Sequence, residues 1–226
     1  MGTPVCVVIG IGPKNGRAFA TRFANEGYAV ALLSRSTDYS SGLADELGGK
    51  AYACDVTDPQ AIERAFAEVR AELGEVDVLL YNAGSGQFGT FDEVPDEAFE
   101  TGWQINVRGL LQSTRQVVGP MREKGEGAII VTGATASLRG KPFTAAFAQA
   151  KAAQRSLAQS FARQLGPEGI HVALVIVDGG IGTNEQSRDE GMLRPDDIAE
   201  TVYHLAKQPK SAWSFEVDVR PFKESW

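Results

Sequence analysis

The chain is poor in cysteine, poor in histidine and short of positive charge. Cys6 and Cys54 are its two cysteines, and both fall in apolar, strand-like segments. That count does not make a disulfide scaffold, and buried free thiols in reducing, cytoplasmic surroundings are the expectation. The two histidines, His171 and His204, lie at the start of a strand and on a late helix. Neither place suits a catalytic base, and no metal site is expected. Lys and Arg total 22 against 29 Asp and Glu, a net charge of -7. An acidic balance argues against nucleic acid or an anionic membrane as partner. No apolar run is long enough to span a bilayer, and no basic stretch precedes an apolar core at the N-terminus.

What is present is a regular alternation. At 226 residues and 43% hydrophobic content, the chain suits one large α/β domain, spanning 1–226. Short, near-continuous apolar runs read as parallel strands covered on both faces: Pro4–Ile9, Ala29–Ser34, Ala51–Cys54, Val76–Tyr81, Ala128–Thr132, Ile170–Val177 and Phe215–Val219. Helical patterns separate them: Gly16–Glu26, Ser40–Leu47, Pro59–Leu73, one long helix over Glu97–Lys124, Thr144–Leu165 and Pro195–Lys207. Asp58 before Pro59 supplies a side-chain cap and a first-turn proline. Such alternation implies a doubly wound parallel sheet with ligands beyond the strand C-termini. The helix Thr144–Leu165 carries eight alanines. They serve either helix propensity or close helix packing, within the subunit or across a dimer.

Gly10-Ile11-Gly12-Pro13-Lys14-Asn15-Gly16 follows the first strand and opens a helix. Glycines there let the backbone approach a pyrophosphate, and the helix N-terminus offers N–H groups to the anion. Arg35 follows the second strand, with no acid before Asp38. A basic residue at that place accommodates a 2′-phosphate, whereas an acid selects the free 2′-hydroxyl. Arg35 and Lys14 therefore favour NADP(H) over NAD(H), unless both are simply solvated surface charges.

These motifs together resemble the short-chain dehydrogenase/reductase superfamily over essentially the whole chain. The glycine loop resembles TGxxxGxG, with Ile9 for Thr and Lys14 where a Gly is expected. Asn82-Ala83-Gly84 is the NAG motif after the fourth strand, and Asp178-Gly179-Gly180-Ile181-Gly182-Thr183 resembles PGxxxT with Asp for Pro. The resemblance implies a single Rossmann-type domain with sheet order 3-2-1-4-5-6-7. It implies that Asp55, beside Val56, contacts the adenine ring, and that Asn106 organises a water relay beneath Lys151. Lys151 would hold the nicotinamide ribose, and Thr183, with Gly179, would meet the nicotinamide. It further implies a homodimer or homotetramer and a small-molecule substrate.

The departures carry the functional question. In Phe147-Ala148-Gln149-Ala150-Lys151 the Lys is in place, but the family's Tyr position holds Phe147. The Ser position falls on Ala134. A phenyl ring neither donates a hydrogen bond nor transfers a proton. A hydroxyl could instead come from Thr135, Ser137, Ser85 or Tyr81. Arg194 follows Thr183 by eleven positions, so the lid Asn184–Leu193 implied by the resemblance is short and polar, and a large apolar substrate held by the lid alone is not expected. The resulting expectation is an NAD(P)-dependent oxidoreductase of atypical chemistry, acting on a carbonyl, quinone or activated double bond. The alternative is an NADP(H)-binding protein with little turnover, acting as a sensor or oligomer partner.

Overall fold

The structure is a computed structural model and describes residues 2–183 and 191–224. Seven parallel strands form one sheet in the order β3-β2-β1-β4-β5-β6-β7. They are β1 Val5–Ile9, β2 Ala29–Ser34, β3 Lys50–Ala53, β4 Val76–Tyr81, β5 Gly127–Ala134, β6 Ile170–Val177 and β7 Glu216–Val219. The order reverses direction beside β1, where β1 pairs with both β2 and β4. A doubly wound sheet places its ligand crevice there, beyond the strand C-termini.

Alternating side chains of each strand feed two cores, one per face. Val5, Val7 and Ile9 join Ile62, Phe66, Leu110, Val117 and Phe161 under helices α3 (Pro59–Glu72), α5 (Gly109–Lys124) and α6 (Ala145–Leu165). Cys6 and Val8 join Phe19, Phe23, Leu43, Ile198 and Val202 under α1 (Asn15–Asn25), α2 (Asp38–Leu47) and α7 (Pro195–Ala206). All eight residues of β6 are buried, which explains its unbroken apolar run. Asp58 caps α3 by accepting from the Gln60 N–H at 2.9 Å, with Pro59 in the first turn. Both cysteines are buried free thiols. Burial pushes the Cys54 thiol up to about 12 and raises Cys6 as well.

The expected long helix over Glu97–Lys124 is interrupted. Helix α4 (Asp96–Trp103) passes into a π-turn at Gln104–Arg108 before α5 begins. Apolar periodicity does not register one widened turn. The turn brings the Ile105 carbonyl to the Tyr81 hydroxyl and the Asn106 carbonyl to the Gln154 amide, the latter at 3.0 Å. Gly109 then passes so close to Tyr81 that a Cβ would lie 2.3 Å from the phenol oxygen. The alanines of α6 pack closely within the subunit: a Cβ on Gly102 of α4 would sit 3.5 Å from the Ala150 Cβ. Strand β5 runs two residues past its expected end, pairing Gly133 with Ile176 and Ala134 with Val177. Among the described residues, no helix is long and apolar enough to cross a membrane.

Candidate active site

The loops after β1 and β4 press together at the reversal point. Gly10 adopts φ +90°, and a Cβ there would lie 2.5 Å from the Ala83 nitrogen. Only glycine fits both the conformation and the contact. Asn82 locks the junction by donating from Nδ2 to the Gly10 carbonyl at 2.8 Å. Gly16 is equally confined, since a Cβ would stand 2.7 Å from the Gly10 oxygen. At Gly12, by contrast, a Cβ would meet nothing within 4 Å, so the outer face of the loop is open to an approaching group.

Two cavities flank this junction and share Asn82, Gly84 and Ser85. One, of about 480 Å³, is lined by Gly10, Arg35, Asp55, Val56 and Ala83, among others. The other, of about 520 Å³, is lined by Asn15, Ala134, Thr135, Phe147, Lys151 and Gly179, among others. Together they span the sheet edge as a dinucleotide spans such a crevice. Most of the sequence-predicted cofactor residues are thus gathered in two adjoining chambers. Gly12, Lys14 and Gly16 line neither cavity, and the Lys14 ammonium donates to the Ile181 carbonyl. Thr183 is exposed and also lines neither. Residues 184–190, most of the expected lid, lie outside the described residues, while Leu193 is tied back to Gly180 through a 2.8 Å backbone bond.

Lys151 is buried at the wall of the second chamber. Its Nζ donates to the Thr132 carbonyl and to Gln154 Oε1, both at 2.9 Å. Burial in apolar surroundings lowers the ammonium to about 7. Asn106 is fully buried, and its Nδ2 donates to the Ser85 and Gly102 carbonyls at 2.8 Å each. Its Oδ1 accepts from no group among the described residues. A Cβ on Gly84 would come within 3.4 Å of Lys151 Nζ and 3.5 Å of Asn106 Oδ1, so glycine there leaves both groups room to meet a ligand. Asn106 itself lines neither chamber, whereas Asn15, which lines the second, carries another buried, unpartnered acceptor. Buried orphan acceptors are costly unless a ligand or water supplies the donor. These features fit a dinucleotide.

The hydroxyls nominated from the sequence divide sharply. Thr135 lines the chamber, but its hydroxyl is engaged by Asp178 Oδ1 at 2.5 Å. Ser85 also lines it. Tyr81 is excluded: it is fully buried, its phenol is bonded to Ile105, and burial raises it far above the usual range. Ser137 is buried and lines neither chamber. His171 is structural, bonded to the Leu205 and Ser214 carbonyls at 3.0 and 2.9 Å and stacked on Trp213 at 4.8 Å. His204 lies on α7, and among the described residues no group of acids, cysteines and histidines could hold a metal ion.

Phe147 forms the wall where a hydroxyl was sought. Its ring presses on Gly86, where a Cβ would fall 2.2 Å from Cδ2, and it leans on Phe88 with centroids 5.4 Å apart. Sequence reasoning missed Gly86, Phe88, Arg139, Lys141, Phe143 and Gln154. Of these only Gln154 carried a signal, since three positions beyond Lys151 places it on the same helix face. The others reach the chamber through loops.

A model of the short chain dehydrogenase family matches residues 4–191. The chain belongs to that family. The 3-oxoacyl-acyl-carrier-protein reductase of Escherichia coli is 32% identical over 173 residues, covering 76% of this chain and 71% of its own. An alcohol dehydrogenase of Thermococcus sibiricus, solved with 5-hydroxy-NADP, superposes with a TM-score of 0.89 at 27% identity, covering 99% of this chain and 98% of its own. A metagenomic short-chain oxidoreductase in complex with NADP superposes at 0.85 with 28% identity, covering 97% of this chain and 98% of its own. This short-chain dehydrogenase is accordingly an oxidoreductase by family.

Proposed function

We propose that this short-chain dehydrogenase is an NADP(H)-dependent oxidoreductase acting on a small carbonyl, quinone or activated double bond that needs no phenol. The observation that carries the reading is the pair of adjoining chambers at the sheet edge, one ending at Arg35 and the other at Lys151. Arg35 and Asp55 would hold the adenosine end, with Arg35 facing the 2′-phosphate. The loop Gly10–Gly16 would take the pyrophosphate at the start of α1. Lys151 would donate to the ribose hydroxyls and Gly179 would border the nicotinamide. Bound, the cofactor supplies or accepts the hydride.

The chain itself must then manage the proton. Phe147 and Ala134 leave the substrate side of the chamber without the two hydroxyls that the family resemblance expects. A positioned acid contributes about 10²–10⁴-fold, so substrates demanding one should turn over poorly. Lys151 carries an ammonium proton that is acidic enough to be released near neutrality. It is the proton source in this reading. A homodimer or homotetramer is proposed by analogy alone.

Fluorescence titration of NADPH and NADH tests the cofactor. NADPH should bind more tightly, and Arg35→Ala should remove the difference; equal affinities, unchanged in that variant, count against it. A panel of quinones, enones, imines and simple carbonyls tests turnover. Oxidation of NADPH by none of them supports a second reading, a cofactor-binding protein with little catalysis, which the apolar Phe147 and Ala134 favour.

A further inference from the structure

The chamber beside Lys151 contains an aromatic wall that the cofactor reading does not use. Phe88, Phe143 and Phe147 all line it, and Phe88 and Phe143 remain 62% and 51% exposed. Large rings left to water inside a concavity mark a surface that a ligand covers. The two loops that carry Phe88 and Phe143 are tied together through the backbone. Gly89 donates its N–H to the Phe143 carbonyl at 2.8 Å and forms a bridge with Thr144. That bond laces the Phe88 loop to the Phe143 loop. Lys141 belongs to the same framework, because its backbone N–H donates to Thr144 Oγ1 at 2.9 Å.

The charges around this wall are unequal in their commitments. Asp178 is matched: Thr135 bonds Oδ1, Arg220 Nη2 lies 3.4 Å from Oδ2, and Arg139 Nη2 approaches Oδ1 at 3.8 Å. Glu224 comes from the C-terminal stretch and stands against Gly179 at the end of β6. Among the described residues Arg139 has only that long approach to Asp178, and its side chain is 47% exposed. The Lys141 ammonium is reached by no hydrogen bond or ion pair among the described residues, yet Lys141 lines the chamber. Aromatic faces beside one uncommitted cation, Lys141, and one loosely paired cation, Arg139, complement an apolar, flat anion.

We propose that this chamber takes an aromatic or conjugated carboxylate. Its ring system lies against Phe88, Phe143 and Phe147, and its carboxylate lies on Lys141 with Arg139 as second donor. The identity of the reacting group rests on the oxidoreductase reading, whereas the anion-and-aromatic recognition does not.

Calorimetric titration with 2-naphthoate and its neutral isostere 2-naphthamide tests the recognition directly, in the cofactor-free and the NADP-loaded protein. Naphthoate should bind at least about tenfold more tightly. Lys141→Ala should bring the two ligands close together and Lys141→Glu should reverse their order, with NADPH affinity unchanged in both. Phe143→Ala should weaken both ligands alike, and raising salt should erode the naphthoate preference. Equal affinity for the two ligands, no binding of either, or a naphthoate preference that survives Lys141→Glu overturns the proposal. Naphthoate binding with no NADPH oxidation by any substrate overturns the oxidoreductase reading instead and leaves this one standing.

Discussion

The side-chain amide of Gln154 joins Lys151 to the π-turn: Oε1 accepts from Lys151 Nζ at 2.9 Å and Nε2 donates to the Asn106 carbonyl at 3.0 Å. The amide is fully buried. It fixes the ammonium by geometry and favours its charged form, but an amide has no proton to pass on. Lys151 is thereby held with its Nζ beside the space that Gly84 leaves, 3.4 Å from where a Cβ would stand.

Gln154→Leu should therefore unseat two partners at once. It leaves the Asn106 carbonyl bare and deprives a buried ammonium of an acceptor. A loss of about 1–3 kcal/mol is expected from the unsatisfied groups. Urea unfolding at unchanged m-value reads that loss. Gln154→Glu places a carboxylate against the ammonium and should raise the lysine's pKa. NADPH binding, followed against pH, should then persist to higher pH than in the parent protein. Parent-like midpoints in the Leu variant and a parent-like pH profile in the Glu variant would show that the amide neither supports nor tunes Lys151.

The buried lysine also sets a direction for stability against pH in the cofactor-free protein. Its folded-state value is about 7, below the ordinary 10.5. Between those values the unfolded chain binds the proton that the folded chain has released. Stability rises with pH wherever the unfolded state holds more protons. The lysine's contribution is least favourable below pH 7 and improves toward pH 10.5. The slope for one proton is at most about 1.4 kcal/mol per pH unit. Subtracting the urea-midpoint profile of Lys151→Met from that of the parent isolates this term. A flat or falling difference over that window contradicts the assigned burial.

Gly86 and Phe147 should behave as a coupled pair. With a Cβ only 2.2 Å from the ring carbon, Gly86→Ala forces either the ring or the loop to move. Overpacking of this kind costs about 1–3 kcal/mol. Phe147→Ala opens the space the new methyl needs, so the double variant should recover part of the loss. A double-mutant cycle on thermal unfolding measures the coupling, for which contacting residues give about 0.5–3 kcal/mol. Simple additivity would mean that the ring does not rest on this glycine.

The sheet order and the two chambers follow from features that a linear reading detects. Buried parallel strands leave unbroken apolar runs, and glycines forced by contact, such as Gly10 and Gly16, recur at the loop that needs them. The π-turn at Gln104–Arg108 was invisible because it shifts apolar periodicity by only one residue. Tyr81 looked available at a strand end, yet the sheet leaves its hydroxyl facing the Ile105 carbonyl inside the core. Lys14 looked like a phosphate ligand, yet it reaches across to Ile181. Phe88, Lys141 and Phe143 come from loops, where no period predicts which side chain meets which. Their convergence depends on tertiary bonds such as Gly89 to Phe143.

Restoring the two missing hydroxyls tests the central expectation about chemistry. Phe147 and Ala134 both line the chamber, and Lys151 Nζ lies 6.0 Å from the Phe147 ring centre. A phenol introduced by Phe147→Tyr would sit in the field of that ammonium, which lowers its pKa by favouring the phenolate. Ala134→Ser adds a donor for the substrate oxygen at the end of β5. The double variant should gain reduction of simple carbonyls by about 10²-fold or more, the scale of one positioned acid. NADPH titration must show unchanged cofactor affinity for the comparison to count. A double variant that folds, binds NADPH and stays inert would place the defect elsewhere. The Gln154 amide is the first suspect, because it holds Lys151 to Asn106 and blocks resupply of the phenol's proton from beneath. Adding Gln154→Ser, which leaves space for water between Lys151 and the Asn106 carbonyl, should then release activity that the double variant lacks.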